Sequence, residues 1–120
     1  MINPAAVVQA QLDAYNAKDI DALMLTYASD ARQFKLHGPM LAEGIDAIRA
    51  RYVARFAEAD LHARLLSRVV LGNIVTDLEI VTRNLPDGLG TLEMLCVYEV
   101  VDGRIQNASF ATGSTTLLEG

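Results

Sequence analysis

Gly90-Thr91-Leu92-Glu93-Met94-Leu95-Cys96-Val97-Tyr98-Glu99-Val100-Val101-Asp102-Gly103-Arg104-Ile105 is the stretch on which the reading of the fold turns. Leu92, Met94, Cys96, Tyr98 and Val100 alternate onto one side, and Leu95 and Val97 onto the other, flanked by Glu93 and Glu99. A period of two predicts a strand over residues 90–101. A sheet with one wet face would carry polar residues along its whole outer side. Here the middle of both faces is apolar, so both are expected to be covered. Asp102-Gly103 is a two-residue hairpin signal, because the tight turn it favours needs positive φ. The next strand, about 104–112, should therefore return antiparallel.

Working back towards the N-terminus, two more β-rich runs cover about 62–71 and 74–84. Gly72-Asn73 is a second two-residue hairpin signal, and Leu85-Pro86-Asp87-Gly88 a longer turn. Four strands joined by short turns predict an antiparallel meander. Asp77 and Glu79 fall on the more polar side of their strand and read as surface or dimer-edge charges, as do Glu93 and Glu99. His62 begins a strand with no evident partner.

The first half has a helical period. Asn3 is a good N-cap and Pro4 suits the first helical position. Val8, Leu12 and Tyr15 then share a face of a helix that should end near Ala17-Lys18. Asp19 caps a short second helix with Ile20, Leu23, Met24 and Tyr27 on one face and a break at Ser29-Asp30. Residues 31–36 read as a strand, with Phe34 and Leu36 on one side and Gln33 and Lys35 on the other. After the Gly38-Pro39 turn, Gly44 precedes a third helix whose buried stripe is Ile45, Ile48, Tyr52 and Phe56. Arg49, Arg51 and Arg55 read as its solvated face. The expected class is α+β, one domain over residues 1–120.

Composition narrows the function. With 120 residues, 52% hydrophobic and 21% charged, the chain can build one core. No run approaches the roughly 20 apolar residues of a spanning helix, and Met1-Ile2-Asn3-Pro4 does not open a secretory signal, so a cytoplasmic location without membrane partners is expected. A net charge of −5 argues against a nucleic-acid partner. One cysteine, Cys96, cannot form an internal disulfide and reads as a buried thiol. His37 and His62 lie far apart and make no metal-ligand cluster. There is no phosphate loop, nucleophile elbow or cofactor fingerprint, so neither a metal nor a cofactor is expected.

The order helix, helix, strand, helix, then a four-strand meander resembles the nuclear transport factor 2-like superfamily, with ketosteroid isomerases and polyketide cyclases nearest in texture. Four segments carry the likeness. Tyr15-Asn16-Ala17-Lys18-Asp19-Ile20-Asp21-Ala22-Leu23 resembles the family's link between its first two helices, and Tyr27-Ala28-Ser29-Asp30-Ala31 its approach to the first strand. Gly44-Ile45-Asp46-Ala47-Ile48-Arg49 is similar to the start of its third helix, and residues 97–105 to its last hairpin. The resemblance implies a cone, a curved antiparallel sheet wrapped by three N-terminal helices, with a pocket at the wide end.

The first 56 residues match a ketosteroid isomerase pattern without gaps, which allows a residue-by-residue comparison. Where that family has its tyrosine donor this chain has Gln11, where it has its aspartate base this chain has Lys35, and Cys96 stands for its protonated aspartic acid. A lysine at its reference pKa of about 10.4 is a cation at neutral pH and takes no proton from carbon, and a thiol is a weak donor. No migration of a steroid 5,6 double bond to the 4,5 position is expected in an ultraviolet assay. The resemblance matches Tyr27 and Tyr52 to supporting tyrosines, which would put their hydroxyls near Gln11. Both also read as core aromatics. It aims Lys35 into the pocket, whereas the alternation of Phe34 and Leu36 sends Lys35 to solvent. His37 would lie at the rim.

The expected lining is Gln11, Tyr15, Tyr27, Lys35, Tyr52, Phe56, Met94, Cys96, Tyr98 and Phe110, with Lys35, His37, Tyr27 and Tyr52 as candidates for chemistry. Three functions fit: binding of a small apolar or amphipathic molecule; a cofactor-free isomerase, cyclase or dehydratase; or a dimerising scaffold with a filled interior. A second copy of the chain is the expected cover for the outer sheet face.

Overall fold

A computed structural model describes residues 3–118. Helix α1 (Pro4–Ala17) opens on the Asn3 side chain, which accepts from the Ala5 N–H at 2.8 Å. It closes on Lys18 in the left-handed region, where the Lys18 and Asp19 N–H groups turn back to Tyr15 and Ala14. Asp19 then caps α2 (Ile20–Leu25) by accepting from Ala22 at 3.1 Å. The helical stripe was expected to run through Tyr27 and to break at Ser29-Asp30, but the helix stops sooner. Thr26 ends it, with its hydroxyl donating to the Leu23 carbonyl at 2.7 Å. Tyr27 and Ser29-Asp30 already belong to β1 (Tyr27–Lys35).

Strand β2 (Met40–Glu43) is absent from the sequence reading, because four residues are too few to display a period. It folds back on β1 with a register shift at Gln33/Phe34. Helix α3 (Ile45–Arg55) follows Gly44, whose φ of +86° favours glycine. The meander is β3 (His62–Leu71), β4 (Ile74–Leu85), β5 (Gly88–Val101) and β6 (Arg104–Leu117). All three of its turns have two residues, including Pro86-Asp87, which the sequence reading made longer.

The six strands form one curved, unclosed sheet in the order β2-β1-β6-β5-β4-β3. Its pairs are antiparallel except β1 with β6, which run parallel. The expectation of a wholly antiparallel sheet is corrected there. The β2-α3-β3-β4-β5 excursion lies between these two strands, and β6 ends alongside β1 in the same direction. Helix α1 packs across the concave side of β3 to β6, and α3 lies against β1 and β2. Val8, Leu23, Ile48, Val75 and Ile105 between these layers are fully buried. Among the described residues no helix is long and apolar enough to cross a membrane.

Two inside–outside assignments are reversed. On β1 the fully buried position is Gln33, sharing its side with Tyr27 and Ala31, whereas Phe34 is only half-buried. On β4 the buried side is Val75, Asp77, Glu79 and Val81. Asp77 and Glu79 are therefore interior groups, not surface or dimer-edge charges. Glu93 stays exposed, and Glu99 is half-buried and accepts from Asn107 at 2.7 Å.

Candidate functional site

The concave side of the sheet and the helices enclose a cavity of about 660 Å³. Helix α1 contributes Gln11, Leu12 and Tyr15; the end of β1 and the turn after it Lys35, Leu36, Gly38 and Pro39; α3 Arg51, Tyr52 and Arg55. The sheet adds Glu79, Val81 and Arg83 from β4, Leu92, Met94, Cys96 and Tyr98 from β5, and Phe110 from β6. Exposure grades the wall from floor to rim. Gln11, Glu79, Cys96 and Tyr98 are all buried. Arg51, Arg55 and Arg83 are half-buried, and Lys35 is exposed.

The floor is polar and sparsely bonded. The Tyr98 hydroxyl donates to Gln11 Oε1 at 3.4 Å, and the Cys96 thiol donates to Glu79 Oε1 at 3.7 Å. Glu79 is pushed up to about 7, first by burial and then by the neighbouring Asp77 charge, with the Cys96 hydrogen bond and Arg68 acting against the rise. A carboxyl group in that range can both give and take a proton at neutral pH. Burial, helped by the Glu79 charge, pushes the Cys96 thiol up as well. It is a protonated donor rather than a nucleophilic thiolate.

Tyr27 and Tyr52 belong to a different network. Their hydroxyls lie 3.1 Å apart, and Gln33 Nε2 donates to both, at 3.2 Å and 3.0 Å. Arg51 Nη1 donates to Gln33 Oε1. The resemblance placed these hydroxyls near Gln11. In the structure their partner is Gln33, and Gln11 turns to Tyr98. Burial raises both tyrosines above their usual range, Tyr27 well above it, while hydrogen bonds from Tyr27 and Gln33 and the Arg51 charge act against the rise at Tyr52.

Of the residues expected to line the pocket, Gln11, Tyr15, Lys35, Tyr52, Met94, Cys96, Tyr98 and Phe110 do so. Tyr27 and Phe56 do not border the cavity: Tyr27 lies behind Tyr52, and Phe56 packs edge-on against Tyr15. His37 is exposed in a left-handed turn and does not border it either. Lys35 borders the mouth although its side chain is exposed, so each of the two opposed readings holds in part. Arg49 is on the solvated face and pairs with Asp21 at 2.7 Å, but Arg51 and Arg55 turn to the cavity, contrary to the expectation of a solvated stripe.

The sequence reading missed Glu79, Gln33 and the two arginines. A signal for the arginines was available: Arg51 and Arg55 are four residues apart and flank the Tyr52 stripe on a helix. Among the described residues, no three His, Cys, Asp or Glu side chains gather as a metal ion would require.

A SnoaL-like domain matches residues 8–108, most of the chain. The chain belongs to the SnoaL-like domain family. This SnoaL-like domain is similar in structure to an uncharacterised cystatin-fold protein from Novosphingobium aromaticivorans. That match has 24% identity and a TM-score of 0.85, and covers 92% of this chain and 99% of the other. A candidate polyketide cyclase from Sinorhizobium meliloti matches with 26% identity and a TM-score of 0.73, over 92% and 100% of the two chains. A protein of ketosteroid isomerase-like fold from Catenulispora acidiphila, solved with trimethylamine, matches with 16% identity and a TM-score of 0.75, over 88% and 83%. No curated protein matches this SnoaL-like domain in sequence. The matches place it in the nuclear transport factor 2-like superfamily, among folds that carry both ketosteroid isomerase-like proteins and polyketide cyclases.

Proposed function

We propose that this SnoaL-like domain binds a small amphipathic molecule in its cavity, with the apolar body against Leu92, Met94 and Phe110 and its polar group on the polar side chains that border the cavity. The observation that carries the reading is the cavity itself. Its volume of about 660 Å³ falls in the range of ligand sites, and its apolar wall is interrupted by a few polar groups that face the space. A scaffold with a filled interior would have no such space.

A second copy of the chain on the outer sheet face is part of the same proposal. Val69, Leu71 and Leu78 are exposed there, beside the half-buried Leu95 and Val97. Native mass spectrometry of the purified protein reads both features at once. The expected result is a dimer-mass species carrying a small molecule that denaturing extraction releases. A monomer at micromolar concentration would end the dimer proposal. Failure to take up either a co-purified molecule or the apolar fluorophore N-phenyl-1-naphthylamine would end the binding proposal.

Glu79 favours a second reading, a cofactor-free isomerase, cyclase or dehydratase. A carboxyl group poised near 7 among the buried, sparsely bonded polar groups of the floor is suited to moving a proton to or from a bound carbon or oxygen. That role would fall to Glu79, not to Lys35, His37, Tyr27 or Tyr52. Turnover that survives Glu79→Gln would take the role from Glu79, and a bound molecule recovered chemically unchanged after prolonged incubation would leave the binding reading standing alone.

A further inference from the structure

The chain as a whole and its cavity have opposite charge. Acidic side chains outnumber basic ones 15 to 10 over the sequence. Around the cavity the order reverses: Lys35, Arg51, Arg55 and Arg83 border it, and among the described residues Glu79 is the single acidic one that does. Glu79 lies at the floor and is part-neutral at pH 7, so it offsets little of that charge.

The four cations are not equally engaged. Arg83 is held by Glu58, donating through Nε and Nη2 over 2.8–3.0 Å. Arg55 reaches the same Glu58 only at 3.7 Å. Arg51 gives one N–H to the neutral Gln33 amide, and the rest of its fork carries no ion pair among the described residues. Lys35, across the mouth on β1, likewise has no ion pair among the described residues. Half-buried guanidinium groups beside an apolar wall are screened less than surface charges, and a cleft lined by one sign concentrates ions of the other.

We propose that the cavity takes an amphipathic organic carboxylate, its anionic head among Lys35, Arg51 and Arg55 at the mouth and its apolar chain running inward over Leu92, Met94 and Phe110. This rests on the binding reading given above and adds the ligand's charge and direction. A bidentate acceptor matches the free edge of the Arg51 fork, and Lys35 supplies a second charge from the opposite strand. A neutral alcohol of the same length would fill the same wall but leave the fork unpaired. An ammonium head would meet like charge.

The test compares decanoate, decan-1-ol and decylammonium at pH 7.5, below their micelle concentrations, by displacement of N-phenyl-1-naphthylamine. Decanoate should bind about tenfold or more tighter than decan-1-ol, with decylammonium weakest, and the decanoate preference should shrink as salt rises. Lys35→Gln should weaken decanoate about threefold and Arg51→Gln about tenfold. The double variant should bind decanoate and decan-1-ol alike, with decan-1-ol unchanged from wild type. Met94→Trp, which fills the cavity, should weaken both. Equal wild-type affinities, tighter decylammonium, or a preference that survives the double variant would overturn the anionic class while leaving the binding reading intact. Decanoate binding unaffected by Met94→Trp would place it outside the cavity and overturn the proposal. If the fluorophore itself does not bind, the binding reading fails and this inference falls with it.

Discussion

Asp77 and Glu79 are two residues apart on one strand, point to the same side, and are both buried. Their surroundings nevertheless differ. Asp77 receives both edges of Arg68, Nε to Oδ1 at 2.7 Å and Nη2 to Oδ2 at 2.9 Å, and Arg68 is itself braced by Gln9 of α1 at 2.9 Å. Glu79 has one thiol at 3.7 Å. The difference originates in β3. Leu65 pairs with Glu79, and the register then shifts by one residue, so that Arg68 rather than Ser67 stands opposite Asp77. One extra residue in the strand thus delivers a guanidinium to the first acid and a leucine to the second. The sheet neutralises the carboxylate under α1 and leaves uncompensated the one that borders the cavity. An interior acid without a counter-ion is a cost to folding, and in a cavity that cost buys a group of adjustable protonation.

The largest test of this contrast removes Asp77. Asp77→Ala takes from the part-buried Arg68 its one paired carboxylate, leaves it only the more distant Glu79, and should lower the unfolding free energy by about 3 kcal/mol in urea titration. Replacing both partners, as Arg68→Met with Asp77→Leu, should recover most of that loss, because an apolar pair needs no compensation. A single-variant loss below about 1 kcal/mol would mean that Arg68 reaches water as easily as its partner, and the contrast with Glu79 would collapse.

Glu79 should behave in the opposite sense. Its native pKa of about 7 lies above the value of about 4.3 for an unfolded glutamate. The native state therefore holds the proton more tightly. Stability is highest below the unfolded value, falls as pH rises between the two, and levels off above 7. The full loss is about 4 kcal/mol at pH 8. Glu79→Gln cannot ionise and should be more stable than wild type at pH 8 by up to that amount, with the gain fading towards pH 4.5. A Tm difference independent of pH would show that Glu79 is already compensated in the native state.

The sequence made some of these features legible and hid others for physical reasons. Helix caps were readable because Asn3, Pro4 and Asp19 are local signals acting on neighbouring N–H groups. The hairpins at Gly72-Asn73 and Asp102-Gly103 were readable because positive φ restricts residue choice. The resemblance of residues 97–105 and three other segments supplied the cone. What failed was the assumption that the more polar side of a strand faces water. On β4 the outward side carries Ile74, Leu78 and Ile80, and the inward side carries two acids. That inversion depends on Arg68, nine residues away across a bulge, and on a cavity that leaves Glu79 room. Gln33 was misassigned in the same way, since its burial is compensated by Tyr27, Tyr52 and Arg51, none of which is a sequence neighbour.

The smallest expected effect sharpens the comparison by holding distance constant. Arg32 and Glu43 join β1 to β2 with an N–O separation of 2.8 Å, close to the 2.7 Å of Arg68 and Asp77. Both side chains of the outer pair are more than half exposed, whereas Asp77 is fully buried and the Arg68 side chain is 15% exposed. If separation set the energy, the two pairs would be worth the same. Water, however, solvates either member of the exposed pair once its partner is gone, and salt screens their attraction. Arg32→Ala should therefore change the unfolding free energy by no more than about 0.5 kcal/mol, several times less than Asp77→Ala. A loss above about 1.5 kcal/mol would show that contact geometry, and not the absence of water around Asp77, separates paired from unpaired charge in this sheet. The case for Glu79 as the molecule's uncompensated acid would then lose its physical basis.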